Sequence, residues 1–80
     1  MIIYRLTHLM KIDLHGIKHQ DVQRKLDIFF WDCMQKNINQ AEVITGISPK
    51  MKDIVKEVCK EYGFGVIEFS FNPGSLTIEL

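Results

Sequence analysis

The closing stretch VIEFSFNPGSLTIEL limits the fold more than any other part of the chain. Ile67, Phe69 and Phe71, followed by Leu76, Ile78 and Leu80, alternate with Glu68, Ser70, Thr77 and Glu79. A period of two marks strands that bury one face and leave the other to water. Asn72, Pro73 and Gly74 between the two runs carry turn chemistry, so the stretch reads as a β-hairpin. A parallel sheet wrapped by helices on both sides would show nearly continuous apolar strands instead. One sheet face is therefore open, and the expected architecture has two layers.

The first strand repeats the pattern. In KIDLHGIK, Ile12 and Leu14 alternate with Asp13 and His15, and Gly16 lets the chain turn. From about His19 to Lys36, Val22, Leu26, Phe29, Phe30 and Cys33 recur at spacings of three and four, which puts them on one stripe of a helix. Ile28 and Trp31 fall off that stripe and are expected to cover an edge of the fold. NINQ breaks the helix, and AEVIT, Ala41 to Thr45, is a short strand ending at Gly46. A second helix begins at Ser48, a good N-cap, with Pro49 at the first helical position, where a missing N–H costs nothing. Its stripe is Met51, Ile54, Val55, Val58, Cys59 and Tyr62, and Gly63 is the expected C-cap.

The order is β-α-β-α-β-β. Strands separated by helices should run parallel, and the last should run antiparallel to its predecessor. The expected fold is an α/β two-layer sandwich, a four-stranded mixed sheet with both helices on one face and Asp13 and His15 projecting from the other.

With 80 residues there is room for one domain and one modest core. Ten basic residues balance ten acidic ones, which excludes a global positive field, so any anion site must be local. No long apolar run or cleavable leader is read, so no membrane partner is expected and the expected compartment is cytoplasmic. Cys33 and Cys59 fall at apolar helix positions and read as reduced core thiols.

In parallel α/β units the loops leaving the carboxyl ends of strands converge on one edge, where ligands bind. His15 and Gly16 leave the first strand there, and Thr45 and Gly46 leave the second. TGISPK leads into a helix start whose N–H groups and dipole favour a phosphate, with Ser48, Lys50 and Lys52 close by and Lys18 and His19 opening the other helix. Histidine titrates near neutral pH, so His15 suits proton transfer, with Asp13 to orient it and the helix start to hold the phosphate. Asp13 and His15 can also serve as metal ligands, but no third ligand stands at a telling spacing, so no metal site is assigned. His8 is read as exposed and uninvolved.

These motifs together resemble the small MutS-related (Smr) domain family. IDLHG looks like its Leu-Asp-Leu-His-Gly signature, VITG stands in the place of its His/Thr-Gly-x-Gly loop, and NPGSLTIEL resembles its closing glycine turn and strand. Residues 10–80 are taken as the Smr-like domain and residues 1–9 as an N-terminal extension, which the sequence leaves either as an edge strand or loose. The resemblance implies a sandwich similar to the C-terminal domain of translation initiation factor three, with the last strand between the second and third. It also implies nicking or cleavage of DNA or RNA, action on messenger RNA or at ribosomes, and roles for Asp13, His15, Thr45 and Gly46. The chain has Ile47 and Ser48 where the family continues with a basic or polar residue and a second glycine. No P-loop accompanies it, so a stand-alone domain without an ATPase is expected.

Three functions compete. An endonuclease would use the Asp-x-His edge to cleave RNA, slightly preferred, or to nick DNA; a divalent metal at Asp13 is the more attractive option for DNA, where water must attack. A binding module for RNA, a ribosome or a DNA junction would keep the edge without turnover, which the altered TGIS loop favours. A protein-interaction domain would use Ile28, Trp31 and the open sheet face, with a monomer or weak homodimer as the expected state.

Overall fold

The computed structural model describes residues 2–6 and 9–80, with side chains from Met10 onward. His8 lies outside the described residues. The elements are β1 (Ile2–Leu6), β2 (Leu9–Asp13), α1 (His19–Gln35), β3 (Gln40–Ile44), α2 (Pro49–Tyr62), β4 (Gly65–Ile67) and β5 (Ser75–Glu79). They make a sheet of order β1-β2-β3-β5-β4. β2 and β3 are parallel, and β5 runs antiparallel to both β3 and β4. The four expected strands are all present, with the last inserted between the second and third. β1 adds a fifth, paired antiparallel to β2 from Ile2↔Asp13 to Leu6↔Leu9, and so settles the edge that the sequence leaves open.

Both crossovers step the same way across the sheet, so right-handed connections place α1 and α2 on the same face. Met10, Ile12 and Leu14, Ala41 and Val43, and Leu76 and Ile78 all point to that face and are buried. Val22, Leu26, Phe29, Phe30 and Cys33 of α1 and Met51, Val55, Val58 and Cys59 of α2 close over them in a single cluster. On the other face Lys11 and Glu42 pair at 3.5 Å. Ile28 and Trp31 stay outside the core, as their place off the stripe requires.

The helix ends follow local chemistry. The Ser48 hydroxyl accepts the Met51 N–H at 3.2 Å, Pro49 is the first helical residue, and Gly63 closes α2 in the left-handed conformation. At the end of α1 the left-handed residue is Asn37, φ 55°, and Ile38 N–H returns to the Cys33 carbonyl at 2.9 Å.

Two readings need correction. The strand expected over Val66 to Phe71 stops at Ile67, and its phase is reversed: Val66 stands opposite Ile78 on the helix side, while Ile67 stands opposite Thr77. Phe64 and Val66 therefore pack on the core, whereas Phe69 and Phe71 are exposed. Both phases begin with an apolar residue, Val66 or Ile67. The inward phase packs Phe64 edge-on against Phe30 at 5.1 Å and stacks it on Tyr62 at 5.0 Å, and it sets Glu68 beside Lys52 and Lys56 of α2. Glu68 thus leaves the open face on which it was expected. The second correction concerns His15. β2 ends at Asp13, so His15 lies in a turn beyond the strand rather than on the open sheet face.

Candidate functional site

β2 and β3 end side by side, with Asp13 opposite Ile44. The Leu14 N–H donates to the Ile44 carbonyl at 2.8 Å, which carries the pairing one step past the strand. The chain then reverses: Ile17 N–H returns to the Leu14 carbonyl at 3.0 Å, closing a turn with His15 and Gly16 at its centre. Gly16 has φ +82°, the conformation that the third position of a type II turn demands. Asp13 Oδ1 accepts the His15 backbone N–H at 2.9 Å. Asp13 therefore acts on the turn through the backbone, as an Asx turn, and presents His15 by shaping the loop.

The exposed His15 ring rests against the second motif. A Cβ built on Gly46 would lie 3.0 Å from His15 Cδ2, and Gly46 also has φ +69°. Glycine takes this conformation without strain and leaves room for the Cδ2 edge of the imidazole against the neighbouring strand end. The two sequence motifs, far apart in the chain, are in contact here.

The Thr45 and Gly46 N–H groups both donate to the Gly74 carbonyl, at 2.9 and 3.0 Å. The Thr45 hydroxyl donates to the Gly46 carbonyl at 2.7 Å, and the residue is only 2% exposed. Thr45 is thus a strut beneath the site, and these N–H groups are already engaged. The Ser48 hydroxyl is engaged as the cap of α2. Lys52 Nζ sits 2.6 Å from Glu68 Oε2, and Lys56 lies 3.5 Å from the other oxygen. The hydrogen bond from Lys52 holds the Glu68 carboxyl below its usual range. Of the expected phosphate-binding residues, Lys50 remains exposed at the start of α2. Lys18 and His19, with Ile17 and Gln20, line an open depression where α1 starts, and Lys18 occupies the cap position without a side-chain cap bond.

The structure therefore gathers Asp13, His15, Gly16 and Gly46 at one edge, with Lys18 and His19 following the turn. Thr45, Ser48 and Lys52 serve internal bonds. Sequence reasoning missed Gly74 as the anchor of the second motif and the exposed pair Phe69 and Phe71 on the same loop. The NPG turn was visible, but nothing in it indicated which backbone its carbonyl would meet. Among the described residues, no three His, Cys, Asp or Glu side chains converge on a common metal position, and no helix is long and apolar enough to cross a membrane.

No curated protein and no solved structure matches the chain. The Smr domain family, whose functions are related to nucleic acids, matches residues 12–74, from the first motif to the glycine that anchors the second. A match over that span, joining IDLHG and VITG in one edge, shows that the chain belongs to the Smr domain family.

Proposed function

We propose that the chain is an endonuclease that cleaves RNA in preference to DNA, with His15 as its proton-transfer residue. The observation that carries this reading is the seat of His15: an exposed imidazole on a turn held by Asp13 and Gly16, with its Cδ2 edge against Gly46. A side chain carried on a turn whose backbone is pinned beside a strand end spends less entropy on reaching a reacting atom. In RNA the neighbouring 2′-oxygen attacks phosphorus and the P–O5′ bond breaks, leaving a 2′,3′-cyclic phosphate. His15 accepts the 2′-hydroxyl proton, and the 5′-oxygen takes one from solvent. Lys50 and Lys18 supply positive charge at the two helix starts.

The engaged N–H groups of Thr45 and Gly46 favour a second reading, a nucleic-acid-binding module without turnover, because they leave that loop few donors for a developing negative charge. Incubation of labelled single-stranded RNA and supercoiled plasmid with the protein and with His15→Ala, with and without chelator, decides between them. Cleavage of RNA that disappears in His15→Ala, with unchanged circular dichroism and chelator-insensitive rates, is the expected outcome. Binding without cleavage would leave the module, and cleavage that survives His15→Ala would remove His15 from the chemistry.

A further inference from the structure

Among the described residues the most exposed aromatic side chain is Phe71, in the loop of residues 68–74. Phe71 is 82% exposed and Phe69 41%. Their rings stack, with centroids 5.1 Å apart and planes 28° from parallel. Phe69 thus flanks Phe71 in a partial stack and leaves most of its ring open to solvent.

The loop ends at the site. Gly74 accepts the N–H groups of Thr45 and Gly46, and Gly46 carries the His15 ring. Consecutive Cα atoms are about 3.8 Å apart, so the Phe71 backbone lies within roughly 11 Å of Gly74. That places an open aromatic face within a few nucleotides of His15.

The lysines nearest this loop are neutralised locally. Lys52 and Lys56 are paired with Glu68 of the same loop, and the chain has a formal net charge of +0. Beyond Lys50 at the start of α2, purchase on a polyanion here comes from π faces more than from phosphate contacts. Resting on the endonuclease reading above, we infer that Phe71, backed by Phe69, is a stacking platform for an unpaired nucleobase close to the scissile phosphate. The substrate is accordingly single-stranded at that position, because a base inside a duplex has both faces occupied.

The test uses an RNA strand with 2-aminopurine at successive positions, alone and annealed to its complement, titrated with the protein and with Phe71→Ala, Phe71→Leu and Phe71→Trp. Phe71 is exposed, so all three variants keep the fold, which thermal melts verify. Phe71→Ala and Phe71→Leu are expected to lose about five- to hundredfold in affinity for the single strand and to abolish the 2-aminopurine quench. Phe71→Trp retains both, and the duplex binds weakly throughout. Wild-type affinity in Phe71→Ala, full rescue by Phe71→Leu or a preference for duplex overturns the stacking platform. If such a variant binds as wild type while His15-dependent cleavage continues, the platform alone falls. If the wild-type protein binds neither form, the endonuclease reading falls with it.

Discussion

The Cδ2 edge of the His15 imidazole lies only 3.0 Å from where a Cβ on Gly46 would stand, so any side chain there would crowd it. This contact couples the two sequence motifs physically and makes the glycine a determinant of where the histidine points.

Gly46→Ala and Gly16→Ala should separate strain from displacement. Each places a Cβ on a left-handed backbone, φ +69° and +82°, at a cost of about 1–2 kcal/mol. Only at Gly46 does the new atom meet the His15 ring, since nothing lies within 4 Å at Gly16. Both variants should melt at lower temperature, while the His15 ring resonances in NMR should move much further in Gly46→Ala.

Asp13 holds the turn through the His15 N–H, and an amide oxygen can accept the same bond. Asp13→Asn should therefore keep most of the activity and Asp13→Ala should lose it by about tenfold or more, about 1.4 kcal/mol of positioning. Equal loss in both variants would assign the carboxylate charge itself to the chemistry.

Glu68→Gln should free Lys52 and Lys56. RNA binding should tighten at low salt, with a log–log salt slope steeper by about one for each lysine that reaches a phosphate. Because Lys52 lowers the Glu68 pKa in the fold, the stability it contributes is present above the ordinary value of 4.5 and lost as pH falls below it. Acid melts of Glu68→Gln should lack that part of the decline.

Tyr62 ties the two helices: its hydroxyl donates to Asp27 Oδ1 at 2.7 Å and its ring meets Phe30 edge-on at 5.3 Å. Tyr62→Phe should cost about 1 kcal/mol in chemical denaturation. Burial, then the Asp27 bond, pushes the phenol pKa up from 10.0 to about 12. The neutral form is thus favoured by folding, so its contribution is intact below pH 10.0 and fades towards about 12. The alkaline decline of stability should be shallower in Tyr62→Phe.

Burial pushes the Cys33 and Cys59 thiols up to about 11. Both should resist Ellman's reagent at pH 8 in the native protein and react fully after denaturation, as measured by absorbance.

Much of this was legible from local chemistry. The stripes of α1 and α2, the Ser48–Pro49 start and the Gly63 end follow from side-chain periodicity and caps, which depend on neighbours within a few residues. So did the one-sided sheet and the order of the four expected strands, once the family resemblance placed the last strand between its predecessors. Whether the residues before Met10 would pair was undecided, and the extended β1 answers it only because β2 offers a free edge.

Tertiary structure decided the rest, for reasons that no window of sequence contains. Alternation in Val66 to Phe71 fits either phase of a strand, and the phase adopted is the one that packs Phe64 between Phe30 and Tyr62 and Val66 on the core. That choice turned Phe69 and Phe71 from expected core residues into an exposed pair. Lys52 and the N–H groups of Thr45 and Gly46 look available for phosphate in the sequence, but Glu68 and Gly74 arrive from a distant loop and engage them. Residue types and spacing determined which side chains can do chemistry at this edge. Which of them are still unengaged depends on hydrogen bonds and ion pairs between segments far apart in the chain, and those form only when the sheet closes.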